Sequence, residues 1–302
     1  MEKNKMTNST KSSIAQAAQA VLAGNRAAPH DMAAVYKSRI ERVAAQLAHE
    51  GIFAAIFEDT ESRRSAHIRY LCGQPSDALL IVAANGHSIL CPWDVNLAAQ
   101  CAHADKIIPS VKYDRDYITA AKDILKSLKA PKEQFNKIEV PPATPYPLFL
   151  KYVDALSVFE VRCNENGIHD FVKDMRSIKD EYEIACTRRA AQITCAITDE
   201  IESLLRSNSI STETDVALLI ERRLREYGCE RTGFDTLAAG PARSFAIHAF
   251  PGYTGGHWGT QGLSILDYGV VYNGYTSDAT LTIAREPSAE QEKLLDLVEK
   301  AA

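Results

Sequence analysis

Two aspartates, Asp267 and Asp278, flank an Asn273-Gly274 dipeptide within the stretch 262–283. Asn-Gly between two β-favouring runs specifies a two-residue hairpin turn, because the primed turn needs positive φ at both central residues. If Tyr272 and Tyr275 close that turn, Asp267 lies opposite Thr280 and Asp278 opposite Gly269. Side chains alternate between the faces of a strand, so Asp278 shares the face of Thr280 and the two carboxylates converge diagonally on one side. Gly269, Thr276, Thr280 and Thr282 join them there, whereas Leu266, Tyr268, Val270, Tyr272, Tyr275, Ala279, Leu281 and Ile283 form the opposite, core-facing side.

From Gly262 to Ala284 the chain carries no Lys, Arg or His. An unpaired carboxylate on a half-buried surface costs roughly several kcal/mol, so remote bases must pair these two, one must hold a proton, or a cation must sit between them. Oxygen ligands suit manganese, magnesium or calcium, and paired carboxylates also support zinc or cobalt. His248 lies between the candidate strand 234–239 and the hairpin, where it either faces the Asp pair or is simply exposed. His257, in Gly255-Gly256-His257-Trp258-Gly259, has no phosphate-binding spacing around it and reads as part of a flexible rim. Arg188-Arg189 and Arg222-Arg223 fall on helical patterns and read as solvated faces. Cys72 follows Tyr70-Leu71 and reads as apolar packing.

Several elements must position these groups. Residues 32–50 read as a helix, with Ile40, Val43, Ala44, Leu47 and Ala48 at helical spacing. Strands are expected at 52–57, 78–83 and 88–91, the last two joined through Asn85-Gly86, and a second helix at 117–128. The proline-rich run 141–147 is expected to interrupt regular structure. Asp180 with Glu183 and Thr212 with Asp215 resemble N-terminal capping arrangements. They open two amphipathic helices, the second stopping at Gly228. Polar residues and Gly167 suggest a boundary near 165, giving a flexible N-terminal tail 1–31, a domain at 32–165 with mixed α/β character, and an α+β domain at 166–302.

A chain of 302 residues is long enough for two such cores. A net charge of −5 without a long basic run gives no indication of nucleic-acid binding. No apolar stretch approaches the ~20 residues of a membrane span, and Gln16 and Gln19 interrupt an alanine-rich segment that would otherwise resemble a secretory signal. Seven scattered cysteines without a CxxC pair fit reduced thiols in the cytoplasm.

The runs Gly262-Leu263-Ser264-Ile265-Leu266-Asp267-Tyr268-Gly269, Tyr272-Asn273-Gly274-Tyr275-Thr276-Ser277-Asp278-Ala279-Thr280 and Glu286-Pro287-Ser288-Ala289-Glu290-Gln291 resemble the Xaa-Pro aminopeptidase and prolidase branch of the pitta-bread metallopeptidases. Met175-Arg176-Ser177-Ile178-Lys179-Asp180-Glu181-Tyr182-Glu183-Ile184 is similar to the opening of that family's catalytic domain. Ala239-Gly240-Pro241 through His248 is similar to its histidine-bearing region, and Tyr70-Leu71-Cys72-Gly73 to its creatinase-type N-terminal domain. The likeness covers 35–302 and implies an α/β creatinase-like domain followed by an α+β pitta-bread domain.

By that resemblance Asp267 and Asp278 are the first two ligands of a site for two divalent metal ions, manganese with cobalt or zinc as alternatives, which would activate a water for attack on a peptide carbonyl. His248 is then the catalytic hydrogen-bond donor to the scissile peptide or its tetrahedral intermediate, and Thr280 a residue that orients a ligand. The retained acidic pair argues against the metal-free creatinase activity.

The family draws a further His and two Glu from sequence beyond this hairpin. The helical stripe from Ser288 through Leu294, Val298 and Ala301 runs to the last residue without a stop signal, so the chain reads as a piece of a longer enzyme, inactive alone. Departures from the family pattern are Leu263, Leu281 and an enlarged loop containing His257 and Trp258. The expected function is a cytoplasmic, homodimeric metallopeptidase acting on proline-containing peptides. Its rivals are a non-catalytic pseudo-peptidase that binds peptides or proteins and, without metal, an acid–base glycosidase.

Overall fold

A computed structural model describes residues 32–128 and 136–301, so the expected tail at 1–31 lies outside the described residues. The chain divides into two compact units between Lys179 and Asp180.

The first unit is a mixed sheet covered by helices on both faces. In chain order it runs α1 (Met32–Glu50), β1 (Ala54–Asp59), α2 (Ala66–Cys72), β2 (Ala78–Ala83), β3 (Ser88–Pro92), α3 (Val95–Cys101), β4 (Lys106–Ile107), α4 (Tyr117–Ser127), β5 (Lys137–Glu139), α5 (Tyr146–Ala155), β6 (Glu160–Arg162) and α6 (Ile168–Ser177). The spatial order is β4-β3-β2-β1-β5-β6, with β1, β2 and β3 antiparallel and the outer pairings parallel. Alternation divides the strands between two cores. Ala55, Phe57, Leu80, Val82 and Leu90 pack with α1, α2 and α6, and Ala54, Ile56, Leu79, Ile81 and Ile89 with α4 and α5. Helix α6 gives Ile168, Val172 and Met175 to the first of these cores, which places the division beyond the boundary expected near 165. The proline-rich run also does more than interrupt: α5 begins inside it at Tyr146, with Pro147 in the first turn, where a missing N–H costs nothing.

The second unit opens with α7 (Glu181–Arg206) and α8 (Glu213–Glu226), each with a capping box, Asp180 with Glu183 and Thr212 with Asp215. There follow β7 (Arg231–Thr232), β8 (Leu237–Ala239), β9 (Gly262–Tyr268), β10 (Val270–Tyr272), β11 (Tyr275–Thr276), β12 (Ala279–Arg285) and α9 (Ala289–Ala301). They form two three-stranded sheets, β11-β10-β7 and β12-β9-β8. The strand expected over 234–239 is shorter, beginning at Leu237. Ile193, Ile197 and Ile201 of α7 and Val216, Ile220 and Leu224 of α8 bury Ala238, Leu266, Tyr268, Val270 and Ile283 on one side of the strands. Trp258, in the loop expected to be a rim, is fully buried in this core. Neither arginine pair is wholly solvated: Arg189 is buried, and Arg223 makes a two-pronged pair with the buried Glu200, at 2.6 and 2.7 Å. Cys72 packs in the first unit's core with its thiol pushed up to about 12 by burial, the packing role expected of it.

Candidate metal centre

The hairpin that carries the aspartates begins with its turn. Asn273 and Gly274 both hold positive φ, at 49° and 86°, and Tyr272 pairs with Tyr275. That pairing propagates along both strands, so Asp267 lies opposite Thr280 and Ile265 opposite Thr282, the expected register. At Gly269 the ladder is interrupted. A side chain there would stand 1.8 Å from the Ser277 carbonyl oxygen, a distance only glycine permits. The Ser277 hydroxyl closes the gap, accepting from the Val270 N–H at 3.0 Å and bonding the Thr194 hydroxyl at 2.7 Å. Below the sheet the Tyr268 hydroxyl donates to the Thr194 carbonyl at 2.8 Å. The strand bearing Asp267 is therefore pinned to α7 one residue away from the carboxylate.

The face opposite that core is where the candidate groups gather. Leu237 of β8 lies directly opposite Asp267, and Ala239 opposite Ile265, so these four share a face. Ala246 and Ala249 pack on Leu237, Ala239 and Ile265. The loop segment containing His248 thus lies over the sheet face that carries Asp267. His248 itself is exposed, as is Asp278, whereas Asp267 is half-buried.

Electrostatically this face is unusual. Asp267 Oδ1 is buried without a hydrogen-bond partner, and neither aspartate side chain makes an ion pair or hydrogen bond among the described residues. The nearest basic residue in sequence, Arg285, is engaged elsewhere, donating to the Gly259 carbonyl and Asn208 Oδ1, both at 3.0 Å. A buried anionic oxygen with no donor is costly. Carboxylate oxygens without a competing cation are what a hard divalent ion requires, so the two aspartates fit such an ion. Among the described residues no group of three or more His, Cys, Asp or Glu side chains could hold a metal, so the two aspartates stand without further local ligands.

Residues 185–302 match the profile of metallopeptidase family M24. Residues 185–302 thus form an M24-like segment of the chain. An uncharacterized peptidase of Methanocaldococcus jannaschii is 28% identical over 153 residues, 51% of this chain and 41% of that protein. An uncharacterized peptidase of Staphylococcus aureus strain USA300 is 31% identical over 131 residues, 43% of this chain and 36% of its own. The chain thus spans about two fifths of the length of the curated relatives it matches. Among solved structures, the X-Pro aminopeptidase from Thermotoga maritima MSB8 superposes with a TM-score of 0.70 at 25% identity, covering 87% of this chain and 69% of that one. The Xaa-Pro dipeptidase from Bacillus anthracis shares the fold, with a TM-score of 0.72 at 23% identity over 88% of this chain and 70% of its own. The fold is that of family M24 pitta-bread proteins, as the sequence resemblance implied.

One residue that bears on the candidate site is not apparent in the sequence. Glu213, the first residue of α8, is buried beneath the loop that carries His248 and binds both of its ends. In the sequence it is only an acid beside a helix cap, and its partners lie 27 to 41 positions away, a separation that no local pattern encodes.

Proposed function

We propose that this chain is the part of a metallopeptidase that carries the first two metal ligands, and that the protein hydrolyses the Xaa-Pro bond at peptide N-termini. The observation that carries this reading is the buried, unpartnered Oδ1 of Asp267 on the sheet face over which the His248 segment packs. Asp267 and Asp278 would be the first two ligands of a site for two divalent cations, manganese before cobalt or zinc, which would supply an activated water and polarise the peptide carbonyl. Thr280, opposite Asp267, orients that carboxylate. His248, exposed on its loop, donates a hydrogen bond to the carbonyl oxygen of the scissile peptide as negative charge develops there. Support for the proline preference comes from the X-Pro aminopeptidase likeness. The seven free cysteines support a reducing, cytoplasmic setting, and homodimerisation follows from the family resemblance.

Two measurements test the reading. Isothermal titration with manganese should show uptake by the native protein that disappears in Asp267→Asn. Incubation of the metal-loaded native protein with Xaa-Pro dipeptides and longer Xaa-Pro peptides should release the N-terminal residue, and a chelator should stop it. The alternative reading is a pseudo-peptidase. Peptide binding without hydrolysis by the metal-loaded native protein would establish that alternative.

A further inference from the structure

The loop 241–253 follows β8 through Gly240 and ends at Thr254, beyond which the chain rejoins the sheet at Gly262. Its returning end is laid along the start of α8 by backbone bonds: Trp258 N–H to the Ser211 carbonyl, Glu213 N–H to that of Gly256 and Thr214 N–H to that of Thr254. Among the described residues the outgoing end has no such backbone seam to α8. Instead the Glu213 carboxylate, with only 2% of its side chain exposed, reaches across. Its Oε1 accepts from Gly240 N–H at 2.8 Å and from Arg243 Nε at 3.2 Å. Its Oε2 accepts from Thr254 N–H and from the Thr254 hydroxyl, both at 2.8 Å. That hydroxyl in turn accepts from Gly256 N–H at 3.0 Å, which fixes its direction of donation. Arg243 also donates to the Pro251 carbonyl inside the loop.

One carboxylate therefore draws together the two ends of the loop that carries His248. Its four partners are all donors, two on each oxygen, so no uncharged isostere can satisfy them. A glutamine would turn its NH2 toward either Gly240 and Arg243 or Thr254, placing donor against donor. The neck is also closely packed, because a side chain on Gly240 would come within 2.8 Å of the His257 carbonyl oxygen. Above the neck, the loop rests on the sheet face through the small residues Ala246 and Ala249. His248 is thus held by its neighbours and by the closure of the neck, while its own ring is free to meet a ligand.

We propose that Glu213 is a positioning residue for His248: a buried clasp that fixes the loop 241–253 over the Asp267 face and so sets the placement of the hydrogen-bond donor. The proposal deepens the peptidase reading, and its kinetic consequence rests on that reading. Its structural consequence does not.

The experiment is amide hydrogen exchange on the metal-free native protein and its Glu213→Gln variant. Leaving a buried donor unpaired costs on the order of the free energy of one decade, so exchange in 241–253 should rise about tenfold while β9 and β12 keep their protection. Unchanged exchange in the loop, or an equal rise throughout the second unit, would overturn the clasp. If Glu213→Gln does not fold, Arg243→Met removes one donor to Glu213 together with the Pro251 contact and must produce a rise confined to the same loop. The kinetic arm compares Glu213→Gln, His248→Ala and the double variant on an Xaa-Pro peptide with manganese. Action through His248 requires the double variant to match His248→Ala, whereas independent, additive losses overturn the positioning role. If the unmodified protein shows no hydrolysis, the peptidase reading fails by itself and exchange still decides whether Glu213 holds the loop.

Discussion

Two pairs of acids, one in each unit, are treated in opposite ways. In the first unit Glu58 and Asp59 end β1, both buried, and both bring cations with them. Arg63 donates to Glu58 Oε1 at 2.7 Å, Arg64 lies 3.5 Å from Asp59, and the Tyr152 hydroxyl and the Ser65 N–H complete the set. Burial still raises both carboxyls above the usual range, with the arginines pulling the other way. In the second unit Asp267 buries an oxygen with no donor, and Asp278, two residues before the Thr280 that lies opposite Asp267, makes no ion pair among the described residues. A carboxylate buried for structure is paired within its own fold. One left unpaired on a sheet face is open to a ligand, which distinguishes Asp267 from Glu58 and Asp59; Glu139 Oε2 in the first unit is also buried without a partner, but its Oε1 accepts from the His169 N–H at 3.4 Å.

The largest consequence concerns metal. Asp267→Asn or Asp278→Asn should weaken manganese uptake by more than about a hundredfold, since each removes a proposed ligand and not merely a support for one. Titration calorimetry measures it. The same substitutions should leave the metal-free thermal midpoint unchanged or slightly raised, because they discharge a carboxylate that lacks a partner. If Asp267→Asn destabilised the metal-free protein while leaving metal uptake intact, the contrast between the two acid pairs would disappear.

Acid should act first on the scaffold. In the first unit His169 is held down to about 3 by burial, with His67 beside it, and His67 down to about 4 by burial and by Arg176. Their rings are 5.9 Å apart. Because the folded state binds fewer protons than the unfolded chain, whose histidines titrate near 6.5, these rings contribute stability that is complete above that value. The contribution is lost as pH falls toward 4 and 3. Between pH 7 and 5 the loss should be on the order of a few kcal/mol, read from urea midpoints of the first unit. The raised carboxyls of Glu58 and Asp59 work in the opposite sense at lower pH, favouring the folded state as they protonate. His169→Phe should flatten the slope between pH 7 and 5, and an unchanged slope would remove these rings as its cause.

Glu58→Gln tests the paired side of the comparison. It leaves Arg63 without its counter-charge and weakens the acceptor of the Tyr152 hydroxyl, costing about 1–3 kcal/mol without altering metal uptake. Arg63 is 23% exposed, so water offsets part of the loss. A cost at the upper end of that range would mean that the pair is shielded more fully than this exposure implies.

How much of this was legible depended on sequence separation. The span of α1, both capping boxes and the pairing of Asp267 with Thr280 are short-range matters of periodicity, hydrogen-bond partners three residues apart and one turn. The short parallel strands β5 and β6 carry no alternation to read, and they exist because β1 supplies an edge for them. Arg189 and Trp258 sit where local polarity or a glycine-rich context suggested exposure, and only packing against distant elements buries them. Asp267, Asp278 and His248 were all singled out from the sequence. The reason the His248 segment lies on the Asp267 face was not, because it resides in Ala246 and Ala249 against β8 and β9.

The smallest effect sharpens the same lesson at the two Asn-Gly turns. In the first unit Ala83 and His87 bracket a three-residue loop in which only Gly86 has positive φ, at 89°, and Asn85 contributes its side-chain oxygen to the His87 N–H at 3.2 Å. In the second unit Asn273 itself occupies the left-handed region at 49°. One dipeptide thus serves two turn types, and the backbone at asparagine separates them. Asn273→Ala must force a Cβ-bearing residue with no compensating amide into that region, at a cost of about 1–2 kcal/mol. Asn85→Ala loses one exposed hydrogen bond, about 0.5 kcal/mol. Denaturant midpoints of the two variants measure the difference. Because Asn273 sets the register that brings Asp267 opposite Thr280, its loss should also weaken manganese uptake severalfold, whereas Asn85→Ala should leave uptake unchanged. Equal effects of the two substitutions on uptake would separate the site from the turn that appears in the sequence to define it.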